Sequence, residues 1–349
     1  MMLQHLTVAL DRLGCPNRCR HCWIGHSPNG CLTAEDLRDV AEALRPFARR
    51  LTVYDWYREP DYGDDYRDMW ALCNRLSDGP RDHFELISVW RMARDAAYAP
   101  WLSSLGLKAA QLTLFGGAAT TDRYTGRRGA HAEILRAIDT LLDNGIAPRL
   151  QVFVNRENVD ELPLIERLVD EMALEERCAA IGQDFACFVH AGSCDGENEK
   201  LYGVRITQDD LPKIPPRLMA WSLRHFRATA PEDIFGRPEQ ELVAELAVDR
   251  STRSLVSDSP VLYVDRRFDV YPNDQPGEIA WRLGNLKHDG PEAVLDAYLH
   301  SRSPAQHARL TIPVGDMVQA LGDPASRRLF DRDDYVQYIL NRYTRKEGR

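Results

Sequence analysis

The chain has 349 residues, of which 44% are hydrophobic and 28% are charged, as in a globular protein with a sizeable core. Its formal net charge is −9, which suits nucleic acid poorly, because nucleic acid needs concentrated Lys and Arg. The sequence has no apolar run approaching the roughly 20 residues of a membrane span, and no secretory signal pattern at its start. We therefore expect a cytoplasmic protein that binds neither nucleic acid nor membrane and keeps its 8 cysteines reduced.

Strand-like apolar runs alternate with amphipathic, helix-like runs over the first part of the chain. Thr33 is a plausible N-cap for the first helix, which separates the first two strands. The predicted strands are 5–11, 50–56, 83–90, 109–117, 149–155 and 178–192. The predicted helices are 31–50, 64–78, 97–104, 129–146 and 161–175. This alternation predicts an α/β fold with a parallel sheet, whose chemistry lies at the carboxyl ends of the strands.

The pattern changes after the sixth predicted strand, where a polar, proline-bearing connection follows. The predicted features beyond it are a helical region over 217–250, a hairpin over 260–273 and a mostly helical tail over 290–349. We expect one domain over 1–195 and a C-terminal α+β extension over 196–349 that covers it.

Three cysteines stand close together directly after the first predicted strand. The stretch LGCPNRCRHCWIG holds Cys15, Cys19 and Cys22 in the spacing C-x3-C-x2-C. A short loop of this kind can aim three thiolates at one iron–sulfur cluster and leave one iron open for a substrate or cofactor. Zinc held together with His21 or His26 is the alternative, although a structural zinc loop usually brings a second cysteine pair.

The stretch CPNRCRHC resembles the signature of the radical S-adenosylmethionine (radical SAM) superfamily. The resemblance covers roughly 1–195 and implies a partial (β/α)6 barrel, in agreement with the six predicted strands. It further implies one [4Fe–4S] cluster on Cys15, Cys19 and Cys22, SAM on the open iron, and an electron donor such as flavodoxin or ferredoxin. In that family, reductive cleavage of SAM gives a 5′-deoxyadenosyl radical that takes a hydrogen atom from an unreactive C–H bond.

The resemblance also implies cofactor contacts at single positions. The family has a GGE-like turn after the second strand that contacts the SAM amino group; here YREP lacks the glycines but supplies Glu59, with a solvated loop acid as the alternative. His21 holds a position that is often aromatic and near the adenine. Gly116 and Gly117 could pass close to the ribose, or form a plain turn. Asn155 is a further cofactor contact or a helix cap.

Some members of the family carry an auxiliary cluster in a SPASM or twitch extension, and residues 264–298 resemble part of one. The cysteine of the family's VYPC is replaced by Asn273, and no cysteine follows Cys194, so we expect an extension without cluster ligands. Cys178, Cys187 and Cys194 are then small buried residues, ligands of an auxiliary cluster, or a source of the hydrogen atom returned to a substrate radical.

The loop after the second predicted strand is dense in acids and aromatics. It places Asp55, Trp56 and Asp61 at the functional edge, where they suit a polyhydroxylated or amino-sugar-like substrate; an acidic surface loop is the alternative. We therefore expect an enzyme of natural-product or carbohydrate tailoring that epimerises, dehydrates or dehydrogenates a small molecule at a hydroxyl-bearing carbon. The alternatives are a peptide-modifying enzyme of the same family and a non-catalytic iron–sulfur electron carrier or sensor.

Overall fold

The computed structural model describes residues 2–26, 29–272 and 278–347. Within them the strands form three sheets, of five, three and two strands. The strands are β1 (Leu6–Leu10), β2 (Leu51–Tyr54), β3 (Ala109–Leu114), β4 (Ala147–Phe153), β5 (Ala186–His190), β6 (Arg237–Pro238), β7 (Val261–Val264), β8 (Asp269–Pro272), β9 (Gly284–Asn285) and β10 (Leu329–Phe330).

Helices make up most of the remaining regular structure. The α-helices are α1 (Ala34–Leu44), α2 (Tyr66–Leu76), α3 (Val89–Met92), α4 (Tyr98–Ser104), α5 (Ala118–Thr125), α6 (Ala130–Asp143), α7 (Leu162–Glu171), α8 (Leu174–Ala180), α9 (Pro216–Phe226), α10 (Glu232–Phe235), α11 (Glu239–Leu246), α12 (Gly290–Leu299), α13 (Pro304–Thr311), α14 (Val314–Leu321) and α15 (Arg332–Glu347). Short 3₁₀ segments are Arg45–Phe47, Val159–Glu161, Gly196–Val204, Gln208–Lys213 and Ile279–Trp281. In the described part of the chain, no helix combines the length and apolar character needed to cross a bilayer.

The five-stranded sheet has the order β2-β1-β7-β8-β9. β1 pairs in parallel with both β2 and β7, so that Val8 lies between Val53 and Leu262. β7 and β8 form the hairpin that the sequence predicts over 260–273. Late residues of the chain therefore continue the sheet that the first strand begins, and α1, α2 and α12 contribute apolar side chains to its core.

The three-stranded sheet β3-β4-β5 is wholly parallel. Side chains alternate between its faces, as in any strand. On β3, Ala110, Leu112 and Leu114 are buried against a core shared with α6, α7 and α9, while the alternate positions Gln111 and Thr113 stay half-buried on the opposite face. The second face is therefore available to line a site.

The third predicted strand, over 83–90, is wrong as a strand. Leu86 makes a single parallel bridge to Gln111, and the end of the segment begins helix α3. The reason is local, because the hydroxyl of Ser88 accepts a hydrogen bond from the backbone N–H of Arg91 at 3.1 Å and so caps that helix. The α/β fold thus contains one mixed sheet and one parallel sheet, and an irregular segment takes the place of the third predicted strand.

Candidate active site

A cavity of about 700 Å³ is lined by strands of both large sheets. The loop that follows β1 carries Cys15, Cys19 and Cys22, and all three line this cavity. The loop folds back on itself, because the N–H of Cys22 donates to the carbonyl of Cys19 at 3.2 Å and that of Gly25 donates to the carbonyl of Cys22 at 3.2 Å. The carboxyl edge of the sheet therefore holds the three thiols in one wall, where the sequence predicts them.

The three thiols are free and half-buried. Burial raises the pKa of each one above its ordinary value, so the thiols stay protonated unless a positive group compensates. A bound metal centre is such a group, because it deprotonates the cysteines that ligate it.

The donor set fits an iron–sulfur cluster better than a single zinc ion. Among the described residues, no three His, Cys, Asp or Glu side chains converge as ligands of one ion. The thiolates of a cluster bind different iron atoms and therefore need not converge. His26 lies 3.9 Å from Glu197, and His21 packs between aromatic rings, so neither joins the thiols as a zinc ligand.

His21 lines the cavity beside the cysteines. Its ring centroid lies 4.7 Å from that of Phe115 and 4.3 Å from that of Phe153. Burial lowers its pKa to about 3, so the ring is neutral. Its Nδ1 is a buried polar atom without a hydrogen-bond partner among the described residues, and such atoms usually mark a place for a missing ligand or water.

Glu59 also lines the cavity and is not a solvated loop acid. One carboxylate oxygen accepts a hydrogen bond from the hydroxyl of Ser88 at 2.5 Å, and the other lies 3.8 Å from the sulfur of Cys15. Burial raises the pKa of Glu59 to about 7. The sequence does not predict this role of Ser88, because the only local feature of the residue is that it lies at the end of an apolar run.

Gly116, Gly117 and Asn155 do not line the cavity. A carboxylate oxygen of Glu161 accepts the N–H of Gly117 at 2.8 Å, and a Cβ on Gly116 would clash with that oxygen. The close backbone approach at these glycines is thus to Glu161. The side-chain oxygen of Asn155 accepts the N–H of Glu157 at 2.8 Å, as in a turn.

Cys178, Cys187 and Cys194 are buried in apolar cores and do not line the cavity. Cys178 and Cys187 belong to the core under the three-stranded sheet, and Cys194 belongs to the core of the C-terminal helices. The arrangement supports small buried residues rather than a hydrogen-atom source. Asn273 lies outside the described residues.

The acidic loop after β2 uses its carboxylates internally. Asp61 is buried and accepts hydrogen bonds from the hydroxyl of Tyr98 at 2.5 Å and from Nε2 of His83 at 2.8 Å. Asp55 lies 3.8 Å from the guanidinium of Arg12. Trp56 lines the large cavity, but the two carboxylates do not. Asp55 and Asp61 therefore do not support a cationic substrate.

Asp55→Asn tests this structural role. Burial, with Asp61 as a smaller contribution, raises the pKa of Asp55 to about 6, against about 4 in an unfolded chain. The folded protein thus binds this proton more tightly, and the associated stability is present below about pH 4 and lost as the pH rises through about 6. The asparagine variant should therefore gain about 2 kcal/mol of unfolding free energy relative to the wild type between about pH 4.5 and about pH 7.5. Urea unfolding at both pH values measures this, and an equal stability difference at the two would contradict it.

Sequence reasoning misses a row of polar side chains on the cavity face of β3, β4 and β5. One end of the Gln151 amide accepts from Gln111 Nε2 at 2.6 Å and from Thr113 Oγ1 at 3.1 Å. Its other end donates to Nε2 of His190 at 2.5 Å, which leaves the proton of that ring on Nδ1. Burial lowers the pKa of His190 to about 4, so the row is uncharged. The polar residues at alternate positions of these strands are the sequence feature from which this row could have been predicted.

Aromatic side chains lie on the opposite side of the cavity. The ring of Phe84 lies 4.8 Å from that of Tyr54 and 5.4 Å from that of Trp56, and all three line the cavity. Phe84 is 45% exposed, so this cluster reaches the surface. The cavity thus combines a neutral polar row with an apolar wall, and it also contains Arg58 and Arg127, which pair with Asp11 and Glu133.

Comparison with known proteins agrees with the cysteine loop and the two sheets. Residues 13–169 match the profile of the Radical SAM superfamily. Fe-coproporphyrin III synthase of Methanosarcina barkeri is 30% identical over 167 residues, an alignment that spans 47% of this chain and 40% of that protein's length.

The same architecture occurs in solved structures. Native anSMEcpe with bound AdoMet matches with a TM-score of 0.54 at 12% identity, over 98% of each chain. The same protein with AdoMet and the Kp18Cys peptide matches with a TM-score of 0.55 at 13% identity, over 99% of this chain and 98% of that one. At such low identity the similarity is one of fold.

Proposed function

Since this chain belongs to the radical SAM superfamily, we propose that it is an enzyme that epimerises, dehydrates or dehydrogenates a neutral, polyhydroxylated small molecule at a hydroxyl-bearing carbon. One observation carries the proposal: the three thiols and the neutral polar row line the same cavity. Groups that would hold the reactive centre and groups that would hold hydroxyls thus face the same cavity.

Enzymes of this family bind a [4Fe–4S] cluster and SAM. Cys15, Cys19 and Cys22 would hold the cluster, and Glu59 and His21, which line the same cavity, would contact SAM. When bound, these groups supply a radical able to remove a hydrogen atom from a C–H bond. The protein's own contribution is to orient the substrate and to limit water in the cavity.

The polar row suits hydroxyl groups. A hydroxyl both donates and accepts, and the row offers amide, hydroxyl and imidazole atoms held in place by their mutual hydrogen bonds. Because Gln151 fixes the tautomer of His190, the Nδ1–H of that ring is a donor with no partner among the described residues. Preorganised donors of this kind cost little to reorganise when a ligand binds.

The rest of the wall favours a neutral ligand over an amino sugar. Tyr54, Trp56 and Phe84 provide an apolar surface for the C–H face of a ring. Glu59 is the one carboxylate among the described residues of this wall, and we assign it to the amino group of SAM rather than to the substrate. An ammonium group on the substrate would therefore lack a free partner.

The test is anaerobic reconstitution with iron and sulfide, followed by reduction with dithionite in the presence of SAM and detection of 5′-deoxyadenosine. We expect slow formation without substrate and faster formation with a neutral sugar or polyol. Parallel samples contain amino sugars or short peptides. Stimulation by amino sugars alone would contradict the neutral substrate, and stimulation by peptides alone would assign the enzyme to peptide modification. A cluster that never cleaves SAM would indicate an electron carrier or sensor.

A further inference from the structure

Arginines surround the outer side of the cysteine loop. Arg18 and Arg20 flank Cys19, and the backbone of the same stretch is bonded to the end of α5. The N–H of Arg18 donates to the carbonyl of Thr125 at 3.0 Å, and that of Arg20 donates to the carbonyl of Tyr124 at 2.8 Å. These bonds place two chain segments side by side at the surface. We define the arginine face as the four residues that they carry, Arg18, Arg20, Arg123 and Arg128.

The arginine face keeps an excess of positive charge. Arg18 and Arg128 are exposed, and neither forms an ion pair with any residue in the described ranges. Arg20 and Arg123 have side chains that are 41% and 51% exposed, and they share a single carboxylate, Glu157, at 3.3 Å and 3.6 Å. That carboxylate also accepts from the hydroxyl of Tyr124, so it is shared by two guanidinium groups and a hydroxyl.

The other acids nearby are engaged elsewhere. Asp122 accepts the backbone N–H groups of Gly129 and His131 at 2.6 Å and 2.9 Å. Glu133 is buried and pairs with Arg94 at 2.9 Å and with Arg127. Glu133 is offset by its two arginines, and Asp122 keeps its negative charge, so the four guanidinium groups of the face outnumber two nearby acids, Glu157 and Asp122. A local excess of arginine stands out on a chain whose formal net charge is −9, and such a patch attracts acidic partners at long range.

The arginine face lies beside the cysteine loop, and this position is the second argument for its role. Cys19 lines the cavity, whereas Arg18 on its N-terminal side is exposed to solvent. At this point one loop separates solvent from the thiols. A protein docked on the arginine face would therefore lie next to the loop that holds those thiols.

We propose that the arginine face is the docking site of an acidic one-electron carrier protein of the flavodoxin or ferredoxin type. The inference rests on the proposed function, because each reductive cleavage of SAM takes one electron from outside the chain. The carrier is oxidised by one electron, the cluster held by Cys15, Cys19 and Cys22 is reduced by one, and no atom is transferred. Carboxylates of the carrier would pair with the planar guanidinium groups, which bind carboxylates in a two-point geometry.

The test uses the reconstituted holoenzyme and a purified flavodoxin. Arg18→Glu/Arg128→Glu reverses two charges of the face, and Arg49→Glu/Arg50→Glu is the matched control, since these exposed arginines precede β2 at the opposite end of the sheet. We expect flavodoxin affinity by calorimetry and flavodoxin-driven 5′-deoxyadenosine formation at low salt to fall about tenfold or more in the first variant only. Formation driven by dithionite, a small reductant, should be equal in all three proteins.

Several results would overturn the docking proposal. Equal flavodoxin affinity in the wild type and in the first variant would do so, and so would wild-type affinity that does not weaken with added salt, a measurement that needs no variant. Tighter binding of single-stranded RNA than of flavodoxin would reassign the face to nucleic acid. If dithionite activity also falls in the first variant, Arg18→Gln/Arg128→Gln repeats the comparison with a milder change. Failure of the proposed function is distinct, because dithionite then gives no SAM cleavage in the wild type.

Discussion

Cys19→Ala should abolish cluster binding and, with it, the reductive cleavage of SAM. Cys19 is the middle one of the three cysteines that line the cavity. Among the described lining residues there is no fourth cysteine that could replace it as a ligand. The residues that hydrogen-bond to metal ligands already contribute 10–100-fold to metal affinity, so losing a ligand itself should lower the affinity for the cluster by at least about a hundredfold. Iron and sulfide content after anaerobic reconstitution measures the first effect, and 5′-deoxyadenosine formation with dithionite measures the second.

Cys31→Ala is the matched control for that experiment. Cys31 follows the same loop, but its thiol is exposed and does not line the cavity. The variant should bind iron and cleave SAM as the wild type does. Full iron content in the Cys19 variant, or an equal loss in both variants, would contradict the assignment of the three thiols.

The features that sequence alone predicted are local in the chain. The cysteine spacing, the N-cap of α1 at Thr33 and the alternation of strands and helices each depend on residues a few positions apart. The carboxylate of Asp36 accepts the N–H of Thr33 at 2.8 Å while the hydroxyl of Thr33 accepts the N–H of Asp36 at 3.1 Å, a contact that three-residue spacing specifies. Local geometry of this kind can be predicted from the sequence alone.

The features that it could not predict depend on distant partners. The carboxylate of Asp61 accepts hydrogen bonds from His83 and Tyr98, which are more than twenty positions away in the sequence. From the sequence alone, Asp61 is therefore indistinguishable from an acid that is free to bind a ligand. The polar row likewise joins three strands through Gln151, and only the register of β3 with β4 sets Thr113 beside it. Composition identifies such groups as polar but says nothing about which of them face a ligand.

Glu59→Gln should weaken SAM binding to the reconstituted enzyme without changing its cluster content. In the radical SAM family a GGE-like turn after the second strand contacts the SAM amino group, and we place Glu59 at the end of the corresponding turn, where it lines the cavity between the hydroxyl of Ser88 and the sulfur of Cys15. A hydrogen bond between charged groups contributes about 1.5–3 kcal/mol, so the dissociation constant of SAM should rise about 10–100-fold. Equilibrium dialysis with labelled SAM measures it.

Two further variants distinguish the orientation of the Glu59 carboxylate from a general effect of negative charge in this loop. Ser88→Ala keeps the carboxylate but removes the hydroxyl that orients it, so SAM binding should weaken by less than in Glu59→Gln. Asp55→Asn removes a carboxylate from the same loop that does not line the cavity, and its SAM affinity should equal that of the wild type. Comparable losses in the Glu59 and Asp55 variants would show a general effect of negative charge near the loop. Unchanged affinity in Glu59→Gln would remove this residue from the SAM site and leave His21, with its unpaired buried Nδ1, as the remaining predicted contact in the wall.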